Sequence, residues 1–129
     1  MAYTYRGTVC SDLDIIKTFI DEKLKILSKV IDNQETLFDI KVILNELIVN
    51  GALHGNECMR SKCITLFIEI NNNKLTIEVK DEGKGIDFDL QSYNPFDLKG
   101  WGRGLILVNG LSDEFYVDKN RVVSIKNIQ

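Results

Sequence analysis

The chain has 129 residues, 44% of them apolar and 27% charged, with a formal net charge of −3. That is the size and composition of one globular domain, expected over residues 1–129, which can bury a core without disulfides or a structural metal. The charge disfavours nucleic acid, no apolar run of about 18 residues is present to span a bilayer, and Met1–Arg6 lacks the apolar centre of a signal peptide, so a cytoplasmic protein is expected.

Residues 2–9 are rich in aromatic and β-branched types and predict a first strand. Ser11, three residues before Asp14, predicts a helix cap, and the apolar spacing of Ile15, Ile16, Phe19, Ile20, Leu24 and Leu27 predicts a helix from Leu13 to Val30. After the break at Asp32-Asn33, a second helix is predicted from Gln34 to Leu53, stopping near Gly55-Asn56. Strands Lys62–Asn71 and Lys74–Lys80 follow, joined by a turn at Asn71-Asn72-Asn73. Past Asp81 the chain reads as glycine-rich and irregular to about Gly102. A short helix Arg103–Leu111 comes next, then strands Glu114–Asp118 and Arg121–Asn127 around the turn Asp118-Lys119-Asn120. The order β-α-α-β-β-loop-α-β-β predicts an α+β protein: a two-layer α/β sandwich whose mixed or antiparallel sheet is covered on one face by helices. Cys10, Cys58 and Cys63 are an odd number of cysteines, and Cys-x4-Cys with one histidine elsewhere is a poor zinc signature, so reduced thiols are expected.

Three clusters carry chemistry. Glu46, Asn50 and His54 recur at i, i+4 and i+8 and so share one face of the second helix. A carboxamide oxygen suits Mg²⁺, and a carboxylate one turn away suits proton removal from an attacking hydroxyl. The same spacing also describes a polar stripe facing solvent. Asp81-Glu82-Gly83-Lys84-Gly85-Ile86 places an acceptor beside bulk-free backbone at a strand end, where an exocyclic amine can approach; taken alone, a plain turn is the better reading. Gly100-Trp101-Gly102-Arg103-Gly104-Leu105 precedes an apolar helix, and glycines at a helix start expose N–H groups to phosphate. It has neither a Walker A ending nor a dinucleotide-binding context.

In this order the three clusters resemble the signature boxes of the superfamily containing DNA gyrase, a heat-shock chaperone family, mismatch-repair proteins and histidine kinases. The wording Leu44-Asn45-Glu46-Leu47-Ile48-Val49-Asn50-Gly51-Ala52-Leu53-His54-Gly55 with Gly102-Arg103-Gly104-Leu105 is most similar to the anti-sigma-factor serine protein kinases. The resemblance runs from about residue 10 to the end. It implies a Bergerat-type ATP-binding fold with ATP and Mg²⁺ as cofactors. Glu46 would be the general base and Asn50 the Mg²⁺ ligand, with His54 near the phosphates. Asp81 would bind the adenine amine, with Gly83, Gly85 and Ile86 beside the base. Residues 86–101 would form a mobile lid, and Gly102, Arg103, Gly104 and Leu105 would offer backbone donors to the triphosphate. The implied partners are a sigma factor, captured when ATP is bound, and an anti-anti-sigma antagonist protein, inactivated by phosphorylation of a serine. A homodimer joined near the first strand and helix is a further family expectation.

The lid departs from the family in being brief, with Ser92 and Tyr93 its only hydroxyls; Lys99 is a substitute point charge or a surface lysine. Arg103 is read as a phosphate contact, a partner contact or an ordinary surface residue. Trp101, the sole tryptophan, stands where lid and phosphate loop meet, either as a reporter of closure or as a packed anchor. Two other functions fit the same boxes. One is a nucleotide-gated binding module without phosphotransfer. The other is a detached ATP-binding subunit of a histidine kinase, since His54 is the only histidine and leaves no acceptor in this chain.

Overall fold

Alternation along Cys63–Asn71 decides which way the sheet faces. The computed structural model describes residues 2–56, 59, 61–83 and 100–128, with the main chain alone at 54–55 and 100–103. In it Ile64, Leu66, Ile68 and Ile70 turn to one side and are at most 4% exposed. This strand, β2 (Cys63–Asn71), pairs with β1 (Tyr3–Cys10) on one edge and β3 (Lys74–Lys80) on the other. Beyond β3 lie β5 (Arg121–Asn127) and β4 (Glu114–Asp118), giving the order β1-β2-β3-β5-β4. Among the described residues every pairing is antiparallel.

Three helices, α1 (Leu13–Leu27), α2 (Gln34–Asn50) and α3 (Gly100–Leu111), cover the apolar side. Their stripes supply Ile16 and Ile20, then Ile40, Ile43, Leu44, Leu47 and Ile48, then Leu105 and Val108, which join Leu75, Ile77 and Val79 in one core. Burying each such side chain contributes about 1.5–3 kcal/mol, so the stripes hold the helices against the sheet. The result is a two-layer α/β sandwich of the α+β class. The opposite sheet face carries Arg6, Thr65, Phe67, Glu78, Lys80 and Arg121, with Arg121 bonded to Glu78 at 2.8 Å.

Strands β1 and β2 each begin one residue later than expected, and four differences at the helices have a local cause. The cap of α1 is Asp12, whose carboxylate accepts from the N–H groups of Asp14 and Ile15 at 3.0 and 3.3 Å. Ser11 is instead buried, and its hydroxyl donates to the Lys62 carbonyl at 2.8 Å. The end of α1 falls at Leu27, because Lys29 and Val30 donate three residues back and tighten the last turn. Helix α2, capped by Asn33, passes into a π-helical turn over Gly51–Gly55, closed by the Asn56 N–H on the Gly51 carbonyl at 2.7 Å. Finally, α3 begins at Gly100 and not at Arg103, so the glycine-rich stretch is its first turn. Glycine costs a helix about 1 kcal/mol relative to alanine, and packing against α2 overrides that preference.

Candidate nucleotide site

Helix α2 presents Glu46 and Asn50, one turn apart, to α3. A β-carbon built on Gly104 would overlap the Glu46 carboxylate and stand 3.1 Å from the Asn50 amide nitrogen. With glycine at 104 the Glu46 carboxylate can lie directly against α3. Asn50 is buried and Glu46 half-buried, so these two are not a solvent-facing stripe. His54 lies in the π-helical turn; its side chain is outside the described residues. Gly102 and Arg103 fall in the first turn of α3, where the helix dipole is positive and the Gly102 N–H has no intrahelical acceptor. Leu105, one turn on, is fully buried in the core.

Asp81 directly follows β3 on the other side of the α2 terminus. Gly51 forms that junction: a β-carbon there would stand 2.8 Å from Ile64 Cδ1 and 3.6 Å from Asp81 Cβ. The Asp81 main chain is held by Asn120, donating its N–H to the Asn120 carbonyl at 3.1 Å and accepting from the Asn120 amide at 2.6 Å. One carboxylate oxygen, Oδ1, accepts from the Gly83 N–H at 2.7 Å. The side chain is buried, and burial pushes the carboxyl above its ordinary value; the Gly83 N–H and the Lys62 charge pull the other way and lose. Gly85, Ile86, Ser92, Tyr93 and Lys99 lie outside the described residues, as does the expected lid apart from the main chain of Gly100 and Trp101 in α3.

The sequence reading missed Asn56. It is fully buried, and its amide nitrogen donates to Ser11 Oγ at 2.9 Å and to the Cys63 carbonyl at 3.0 Å. Its amide oxygen accepts from the Glu82 N–H at 2.7 Å, and the Glu82 carboxylate in turn accepts from the Cys63 N–H. Asn56 therefore ties the end of α2, the start of β2 and the residue after Asp81 into one brace. A polar side chain directly after a helix end was the only signal for it.

The first box thus touches the third through Gly104 and the second through Gly51. A family model described as the histidine kinase-like ATPase domain matches residues 11–126. The chain belongs to the histidine kinase-like ATPase family. Within that family its relatives include an anti-sigma F factor of Clostridium perfringens (strain SM101 / Type A), 31% identical over 98 residues and 70% of each chain. An anti-sigma F factor of Thermoanaerobacter sp. (strain X514) is 34% identical over 89 residues, which are 65% of this chain and 62% of that protein. Another, from Clostridium beijerinckii, is 30% identical over 88 residues. This histidine kinase-like ATPase therefore sides with the anti-sigma factors. Among its described residues no helix is long and apolar enough to cross a membrane.

Proposed function

We propose that the chain is a single-domain, ATP-binding anti-sigma factor that sequesters a sigma factor and phosphorylates a serine of an anti-anti-sigma antagonist, acting in the cytoplasm as a homodimer. The observation that carries this reading is the double contact of α2, with Gly104 at Glu46 and Asn50 and with Asp81 at Gly51. Those contacts bring Glu46, Asn50 and the buried Asp81 around one helix end. The names of the relatives support the sigma-factor half.

In this reading the second oxygen of Asp81 accepts the adenine amine while Gly83 holds the first. The first turn of α3, with Gly102 and Arg103, and the π-helical turn with His54 face the phosphates, while Gly85, Ile86 and the lid complete the enclosure. Gly104 leaves room for the Glu46 carboxylate beside α3, and Leu105 anchors that helix in the core. Among the described residues no cluster of three His, Cys, Asp or Glu could hold a metal by itself. Mg²⁺ shared with phosphates needs few protein oxygens, so the Asn50 carboxamide fits it. Bound there, Mg²⁺ would neutralise phosphate charge. Glu46, half-buried one turn away, would take the proton from the attacking serine hydroxyl.

Incubation with γ-labelled ATP and the antagonist protein tests this directly. Acid-stable label on the antagonist is expected, lost in Glu46→Gln while nucleotide binding is kept. Acid-labile label would identify a histidine-directed subunit, and binding without transfer would identify a nucleotide-gated binder.

A further inference from the structure

Cys10 ends β1, Cys63 opens β2, and the two stand directly opposite in the antiparallel register. Both are free thiols, Cys10 exposed and Cys63 half-buried. Main-chain hydrogen bonds fix the kind of pair they form. The neighbouring Ser11 donates its N–H to the opposite Lys62 carbonyl at 3.2 Å. Cys63 turns its own N–H away from β1 to the Glu82 carboxylate, and its carbonyl to the Asn56 amide. Antiparallel pairs alternate, so Cys10 and Cys63 are a non-hydrogen-bonded pair, with side chains on one face and α-carbons about 4.5 Å apart. That is the nearest approach a sheet offers, at the lower edge of the roughly 4.4–6.8 Å that a disulfide bridges.

We propose that Cys10 and Cys63 form a dithiol site for disulfide oxidants, and that closing the bond weakens nucleotide binding. The second half rests on the reading of Asp81 given above. The exposed Cys10 thiolate attacks a low-molecular-weight or protein disulfide, forming a mixed disulfide and releasing one thiol. The Cys63 thiolate then attacks the Cys10 sulfur and releases the second thiol. Two electrons and two protons pass from the protein to the oxidant, and no other reactant is needed. Disulfides prefer α-carbons about 5.5–6 Å apart, so closure spreads the pair. Cys63 cannot shift alone, because its N–H and carbonyl are tied to Glu82 and Asn56, and Glu82 directly follows Asp81.

The full native chain and a Cys58→Ser variant are incubated with oxidised glutathione in the absence of nucleotide, then mapped by mass spectrometry. Loss of two hydrogens and a peptide joining Cys10 to Cys63 are expected, reversed by dithiothreitol, with Cys10→Ser and Cys63→Ser stopping at mixed disulfides. Separate glutathione adducts on the two cysteines, untouched thiols, or a bond through Cys58 in the native chain would overturn the site. Mg-ATP affinity is then compared between redox forms, and the oxidised chain should bind about tenfold more weakly, recovering on reduction. Equal affinities would refute the coupling. Absence of binding in both forms would refute the nucleotide reading and the coupling with it, while the peptide map still decides the dithiol.

Discussion

Gly104 of α3 and Glu46 of α2 are packed so closely that no β-carbon fits between them. The obstructing atom is the far end of a flexible side chain, so alanine at 104 should displace the carboxylate and leave the helices in place. Replacing glycine inside a helix gains about 1 kcal/mol, and overpacking costs about 1–3 kcal/mol, so the net change is small. Gly104→Ala should therefore melt within a few degrees of the native chain while phosphotransfer falls roughly ten- to a hundredfold. Circular-dichroism melting and single-turnover kinetics check the two halves. Full activity would show that the position of Glu46 does not limit the reaction.

Asn56 makes three hydrogen bonds from a fully buried amide. Removing it strands the Glu82 N–H and the Cys63 carbonyl, each at a cost of about 1–3 kcal/mol. Asn56→Ala should lose about 3 kcal/mol in urea denaturation, against about 1 kcal/mol for Ser11→Ala, which removes one hydroxyl from the same brace. The Asn56 variant should also bind ATP less tightly, because Glu82 would no longer be fixed beside Asp81.

The strands and α2 were legible because period-2 and helical spacings survive in Ile64–Ile70, Leu75–Val79 and Ile40–Ile48. What the sequence hid were choices settled by distant partners. Ser11 and Asp12 are both good caps, and the Lys62 carbonyl, 51 residues from Ser11, takes Ser11 out of contention. Asn56 looked like a helix stop, since its duty comes from Cys63 and Glu82. Glycines at 100–104 read as irregular because propensity penalises them, whereas Gly104 makes room for the Glu46 carboxylate of α2. The order of the three boxes was readable from the chain. That Gly51 and Gly104 join them was not, because a glycine's neighbours leave no trace in local spacing.

The β2–β3 hairpin turns on Asn72 and Asn73, with φ of 53° and 61° between the paired Asn71 and Lys74. Two successive positive values make a type I′ turn, whose second position favours glycine. The Asn73 carbonyl accepts from the Ile128 N–H at 2.8 Å, so the backbone is held there whatever the side chain. Asn73→Gly should stabilise the fold by up to about 1 kcal/mol, and Asn73→Ala should destabilise it by a similar amount. Paired urea titrations decide it; the reverse order would exclude left-handed strain as the governing factor.

Asp81 should act on stability and on binding with opposite signs. Burial holds its carboxyl above the ordinary carboxylate value, ahead of the opposing Gly83 N–H and Lys62 charge. Between the unfolded and the higher folded value the native state binds more protons, so stability falls as pH rises through that window. The ionised group therefore weakens the fold at neutral pH. An adenine amine, in contrast, donates more strongly to a charged acceptor, so affinity rises through the same window. Asp81→Asn separates the two. It removes the buried charge, and it presents either an amide N–H or a weaker neutral oxygen to the amine. The variant should be at least as stable as the native chain at neutral pH, with a flatter loss of stability as pH rises above the ordinary carboxylate value. Its ATP affinity should drop roughly a hundredfold, in keeping with about 1.5–3 kcal/mol for a hydrogen bond to a charged group, and should no longer climb with pH. Urea denaturation and titration calorimetry across that range measure both quantities. Native-like ATP binding by the asparagine variant would remove Asp81 from adenine recognition.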